Sequence, residues 1–158
     1  MAMGELLSTR LGAEYLKNEG LGAEWVDARE HMRALPGVGD SSWLSAHCSD
    51  DAVPALADAF SQHRMIITQG FIARNERDET VLLGRGGSDT SAALFSAMLQ
   101  AERCEIWTDV PGVYTANPRE IPQARLLQLL AYDEAQEIAS AGAAVLHPRC
   151  LGPVRRHA

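Results

Sequence analysis

Apolar and polar positions change rhythm several times along this chain, and each change marks an element. Leu7, Leu11 and Tyr15 recur at helical spacing within GELLSTRLGAEYLKNEG, which predicts an opening helix that stops at Gly20. AEWVDA, Ala23 to Ala28, is short enough for a strand, and ALPGVGD, Ala34 to Asp40, reads as a loop by its proline and glycines. DAVPALADAFSQH, Asp51 to His63, predicts a helix in which Pro54 is tolerable only near the first turn. Met65 to Thr68 then reads as a buried strand ending in a glycine turn, with Glu79 to Leu83 a second β candidate. A helix follows the stretch GRGGSD and runs through about Gln100. CEIWTD, Cys104 to Asp109, predicts another apolar strand, and YDEAQEIASAG, Tyr132 to Gly142, a helix with a glycine end. Strands alternating with helices predict an α/β protein: a largely parallel central sheet with helices on both faces. The chain shows no repeat, no low-complexity tract and no second domain.

Composition narrows the classes. At 158 residues, with 46% hydrophobic and 22% charged positions, the chain is one domain's worth with a real core. A net charge of -7 argues against a nucleic-acid or anionic-membrane partner, which needs a basic face. A small anionic ligand would need locally placed arginines or a bridging cation, and of the 14 basic residues only Lys17 is a lysine. Cys48, Cys104 and Cys150 are widely spaced and form no CxxC pair, so reduced thiols are the plain reading. Glu5, Arg10 and Glu14 interrupt the opening residues, which excludes the apolar core of a signal peptide there. No run approaches the ~18 apolar residues of a membrane span. A soluble, cytoplasmic protein is expected.

The chemistry concentrates in the turn. In GRGGSDTSAAL, Gly86-Gly87 can aim backbone N–H groups at an anion, Ser88 suits an N-cap, and the following helix adds its positive end. Ala92, Ala93 and Ala97 would let that helix lie close to the sheet. A capped βα turn with Asp89 on the helix dipole would need nothing more. Arg85 goes further, because a guanidinium fork beside a glycine nest matches a bidentate carboxylate. The turn lacks the Gly-Lys-Ser/Thr ending of a Walker A loop and does not satisfy G-x-G-x-x-G. Three further stretches add to it. In WTDVPGVYTANPR, Thr108 and Asp109 end a predicted strand, where open α/β sheets place ligands. Tyr114 there offers a flat face to a base, and Arg119 a reach to phosphates. MGELLST puts Glu5 at a helix start, and ITQGF puts Phe71 beside a strand-end glycine.

Taken in order, GELLST, EWVDAR, ITQGF, LGRGGSDTSAAL, EIWTDVPGVYTANPR and GAAVLHPR resemble the aspartate kinases of the amino-acid kinase superfamily over nearly the whole chain. The resemblance implies a three-layer α/β/α fold and phosphorylation of the β-carboxylate of L-aspartate by ATP with Mg²⁺. It implies that Arg85 grips a substrate carboxylate, that Ser88 and Asp89 hold its other polar groups, and that Glu5 and Phe71 line the same pocket. It assigns Thr108, Asp109, Tyr114 and Arg119 to ATP, with no protein-built metal site and a homo-oligomeric parent enzyme. The carboxylate would attack the γ-phosphoryl group directly, so catalysis is alignment and charge neutralisation.

Two departures stand out. The family's opening strand and Lys-containing glycine loop are not seen before Met3, and Ala144 stands where the family usually has a nucleotide-contacting lysine, with Arg149 the nearest replacement. The chain therefore reads as an internal part of a single amino-acid kinase domain, without the end of that domain or the family's ACT domains, and is expected to be inactive on its own. Its tail, HPRCLGPVRR, is similar to kinases fused to diaminopimelate decarboxylase. Other amino-acid kinases, such as those for glutamate or acetylglutamate, and a non-catalytic binding or structural fragment are the alternatives.

Overall fold

A computed structural model describes residues 1–36, 44–142 and 145–156. The predicted opening helix forms as α1, Ala2–Asn18, and Gly20 follows in the left-handed region at φ 78°. Its i, i+4 row does not face the core, however. Leu7, Leu11 and Tyr15 are 64%, 73% and 60% exposed, while the side that turns inward carries the buried Ala13 and the half-buried Glu5 and Thr9.

After α1 come β1 (Ala23–Trp25), the short α2 (Ala28–His31), α3 (Pro54–Gln62) and β2 (Met65–Ile67). Pro54 starts α3, where its missing N–H is no loss. β1 and β2 pair in parallel with Ala23 opposite Met65 and Trp25 opposite Ile67. β3 (Ile72–Arg74) and β4 (Thr80–Leu82) form an antiparallel hairpin closed by Asn75, whose side-chain oxygen accepts from the N–H groups of Arg77 and Glu79. β4 was legible in the sequence; β3 was not, because IAR is too short to show alternation.

α4 (Gly87–Met98) leaves the hairpin through the glycine turn. Leu94 and Met98 on one side of it join Met32, Leu56, Ala73, Val81 and Leu83 in the main core. Ala93 on another side meets Ala139 of α5 (Tyr132–Ser140) and Cys150 and Leu151 of α6 (Pro148–Arg156) in a second cluster. The alanine row of α4 thus admits α6 closely, where a sheet contact was expected. α6 itself was missed, although a His-Pro pair reads as a cap followed by a first helical residue.

The predicted strand Cys104–Asp109 is not formed, since its backbone finds no ladder partner among the described residues. The strands described are one parallel and one antiparallel pair, a portion of the layered α/β architecture. The loop expected at Ala34–Asp40 lies partly, and Ala144 wholly, outside the described residues.

Candidate active site

The geometry is set by backbone approaches around the GRGG turn. Gly86 precedes α4 at φ 64°, a conformation that costs a residue with a Cβ ~1–2 kcal/mol. A Cβ there would also overlap the His147 side chain, which lies directly on the turn. A Cβ on Gly87 would come within 2.6 Å of the Phe71 ring, and one on Gly84 within 2.9 Å of the Leu44 carbonyl oxygen. From the other strand end, Gly70 faces the Cα of Ser88 at 3.2 Å from its would-be Cβ. Glycine is required because three other segments, at Leu44, Gly70–Phe71 and His147, converge on this turn.

Each converging segment is fastened. The Phe71 N–H donates to Ser91 Oγ at 2.8 Å, and Ser91 in turn donates to the Gly87 carbonyl. Phe71 is held at φ 71°, an unfavourable region for an aromatic residue; such strain clusters at functional sites. His147 accepts the Arg149 N–H on Nδ1 and the Cys150 N–H on its carbonyl oxygen, which caps α6 beside the turn. Arg149 donates to the carbonyl oxygens of Leu83 at 2.6 Å and Ala46 at 2.5 Å. This corrects the expectation that Arg149 could replace a lysine at the nucleotide: its guanidinium is committed to backbone carbonyls inside the fold.

A second correction concerns Ser88. The cap of α4 is Gly86, and Ser88 stands within the first turn with no capping bond, because the left-handed glycine already ends the preceding strand. Ser88 and Arg85 are exposed and Asp89 is half-buried. Among the described residues the side chains of Arg85, Ser88 and Asp89 form neither a hydrogen bond nor an ion pair, although their neighbours Thr90 and Ser91 both do. Three polar side chains without protein partners therefore surround a rigid nest at a helix N-terminus, an arrangement suited to an amino acid's carboxylate and ammonium groups.

Glu5 is tied to the strand end before Gly70 through Thr9 and Gln69. The Thr9 hydroxyl donates to the Glu5 carbonyl at 2.7 Å and accepts from Trp25 Nε1 and Gln69 Nε2. Gln69, 1% exposed and adjacent to Gly70, was not singled out in the sequence. Nothing in a single ITQGF stretch distinguishes a buried hub from a strand-end polar residue.

Four further residues were expected at the nucleotide. Thr108 Oγ donates to Asp109 at 3.3 Å, and both are exposed. Thr108 lines an open cavity of about 560 Å³ with Trp107, Pro111, Val113, Val145 and Leu146. Tyr114 is half-buried and bridges to Leu126, and the Arg119 side chain is exposed. Among the described residues no hydrogen bond or ion pair joins these four to the turn.

The model of the "Amino acid kinase family" matches residues 1–158, and the chain belongs to that family. It is 42% identical over 153 residues to the lysine-sensitive aspartokinase 3 of Escherichia coli, covering 97% of this chain and 34% of that protein. It is 45% identical over 158 residues to the bifunctional aspartokinase/homoserine dehydrogenase 2 of E. coli, covering 96% of this chain and 18% of the relative. The crystal structure of E. coli aspartokinase III in complex with aspartate and ADP superposes with a TM-score of 0.83 at 40% identity, over 99% of this chain and 35% of that one. The chain thus spans about a third of the length of aspartokinase 3 and under a fifth of the bifunctional relative, and the fold class expected from the sequence is that of its structural neighbours.

Proposed function

We propose that this chain contributes the amino-acid side and part of the nucleotide side of an aspartate kinase, which transfers the γ-phosphoryl group of ATP to the β-carboxylate of L-aspartate to give aspartyl-4-phosphate, the opening step of lysine, threonine and methionine synthesis. The observation that carries the reading is the pinned glycine turn with Arg85, Ser88 and Asp89 unpartnered around it. The Arg85 fork takes a substrate carboxylate in bidentate fashion, the N-terminus of α4 adds its partial positive charge, and Asp89 offers a carboxylate to the ammonium. Glu5 and Phe71 close the pocket. Thr108, Asp109, Tyr114 and Arg119 serve ATP, with the cavity beside Thr108 available to it.

Mg²⁺ takes few protein ligands and keeps phosphate oxygens and water. Such an ion would enter on the nucleotide. The bound ion would neutralise developing charge on the phosphates. No helix among the described residues is long and apolar enough to cross a membrane. The exposed apolar row of α1 supports a homo-oligomer.

Calorimetric titration of the chain with L-aspartate and with MgATP tests this reading. Arg85→Lys keeps the charge and loses the fork, so aspartate Kd should rise roughly ten- to hundred-fold while ATP Kd stays put. Arg119→Lys should do the reverse. If both variants weakened ATP and left aspartate alone, the turn would not be the amino-acid pocket.

A further inference from the structure

Gln69 occupies an unusual place among the residues around the turn. It is 1% exposed, carries no charge to offer a substrate, and has both ends of its amide engaged. Its Oε1 accepts the Ala28 N–H at 2.9 Å, where the chain turns from β1 into α2. Its Nε2 donates to Thr9 Oγ1 at 3.0 Å and reaches the Val26 carbonyl at 3.5 Å. Thr9 is filled to capacity by the same network. Its proton goes to the Glu5 carbonyl, and its oxygen accepts from Gln69 and from Trp25 Nε1 at 3.1 Å.

Glu5 precedes Thr9 by one helical turn and lies on the same side of α1. Gly70 and Phe71 follow Gln69 directly in the chain, and they pack on Ser88 and Gly87. One buried amide therefore stands between the helix that carries Glu5 and the corner that carries Phe71. We infer that Gln69, acting through Thr9, is a positioning residue that sets the distance between Glu5 and the GRGG turn, and hence the grip of the pocket on its amino acid. This rests on the functional reading above. A merely structural amide in the core would affect every ligand alike; a spacer between Glu5 and Phe71 affects the amino acid alone.

The test uses Gln69→Met, which keeps bulk and loses all three hydrogen bonds, together with Thr9→Val and Thr9→Ser. Each protein is titrated calorimetrically with L-aspartate and with MgATP. Gln69→Met and Thr9→Val should each raise aspartate Kd roughly ten-fold, the scale of one lost hydrogen bond, with ATP Kd within about two-fold. The double variant should be little worse than either single one, since both break the same link. Thr9→Ser should restore binding to within about two-fold, because it returns the hydroxyl without the methyl. Should Gln69→Met fail to fold, the Thr9 pair at a half-buried position decides the matter. Unchanged aspartate affinity in the variants would overturn the inference, as would parallel weakening of ATP or a Thr9→Ser as weak as Thr9→Val. A wild-type chain that takes up no aspartate would overturn the functional reading as well, so the two failures are told apart.

Discussion

The glycine turn at 84–87 and the segment from 101 to 131 carry the two halves of the proposed chemistry, and they are built in opposite ways. Around the turn, Leu44, Phe71, Ser88 and His147 press on glycine backbone, and Arg149 ties Leu83 to Ala46. The later segment contains neither helix nor strand. Its internal order rests on Tyr114 bridging Leu126 and on a few hydrogen bonds such as Leu127 N–H to Val113 O, and Trp107 and Leu129 are each 89% exposed. The proposed site would thus be firmly braced on its amino-acid side and loosely braced on its nucleotide side. The stiff half is assembled from contacts within the described residues, whereas residues 104–109 have β character in their sequence and no strand beside them.

Placing the same substitution in both halves gives the largest contrast. Gly86→Ala must pay for a positive φ and for overlap with His147, and should cost ~2–5 kcal/mol. Gly112→Ala, at φ 142° with only a Leu126 methyl at 3.3 Å, should cost ~1 kcal/mol, because that side chain can move aside. Urea unfolding of both variants measures the gap. Equal losses would mean the turn is no stiffer than the later segment.

Arginines should separate next. Arg149→Met strands the Leu83 and Ala46 carbonyls away from their donor and should cost ~2–4 kcal/mol. Arg119→Met, exposed in the later segment, should stay within ~0.5 kcal/mol. Denaturant midpoints at constant m-value would show it, and a costly Arg119 change would give the later segment an anchoring role.

The pH dependence sharpens the picture at the edge of the packed region. Arg29 donates from Nε and Nη2 to Asp27, and this bond holds the Asp27 carboxyl below its ordinary value of 3.8. A lowered acid contributes stability that is complete above its unfolded value and is lost as pH falls through its folded value. Asp27→Asn should therefore cost ~1.5–3 kcal/mol at pH 7, with the difference from wild type shrinking below about pH 4. A difference that persisted unchanged at pH 2.5 would assign the effect to packing.

Much of this was legible in the sequence, and the failures have physical causes. α1, α3, α4, α5, β1, β2 and β4 fell where spacing and turn residues put them, because each is specified by neighbours within a few positions. The glycine turn that opens α4, with Arg85 and Asp89 on either side of it, was legible too, since it is a local pattern. Gln69, His147 and Arg149 were not, for their partners lie 41, 60, 66 and 103 residues away for the bonds to Ala28, Thr9, Leu83 and Ala46, and His147 meets Gly86 only through the fold. The strand at Cys104–Asp109 failed for the complementary reason. Its apolar run is real, but a strand exists only where another backbone pairs with it.

The smallest expected effect belongs to the apolar row that first suggested a helix. Periodicity at Leu7 and Leu11 was read correctly as helical, yet both side chains stand in water at 64% and 73% exposure, whereas Leu56 of α3 is 1% exposed. Burial, and not hydrophobicity alone, sets what a leucine contributes. Leu7→Gln with Leu11→Gln should thus change the unfolding free energy of the monomer by no more than ~0.5 kcal/mol, against ~2–5 kcal/mol for Leu56→Ala. The measurement needs dilute protein, because the same exposed row is suited to contact with another surface and association would add stability that depends on concentration. Denaturation curves of wild type and double variant at two concentrations tenfold apart separate the terms. A loss of 2 kcal/mol or more at the lower concentration, with no concentration dependence, would mean that the inward side of α1 is the Leu7–Leu11 row after all.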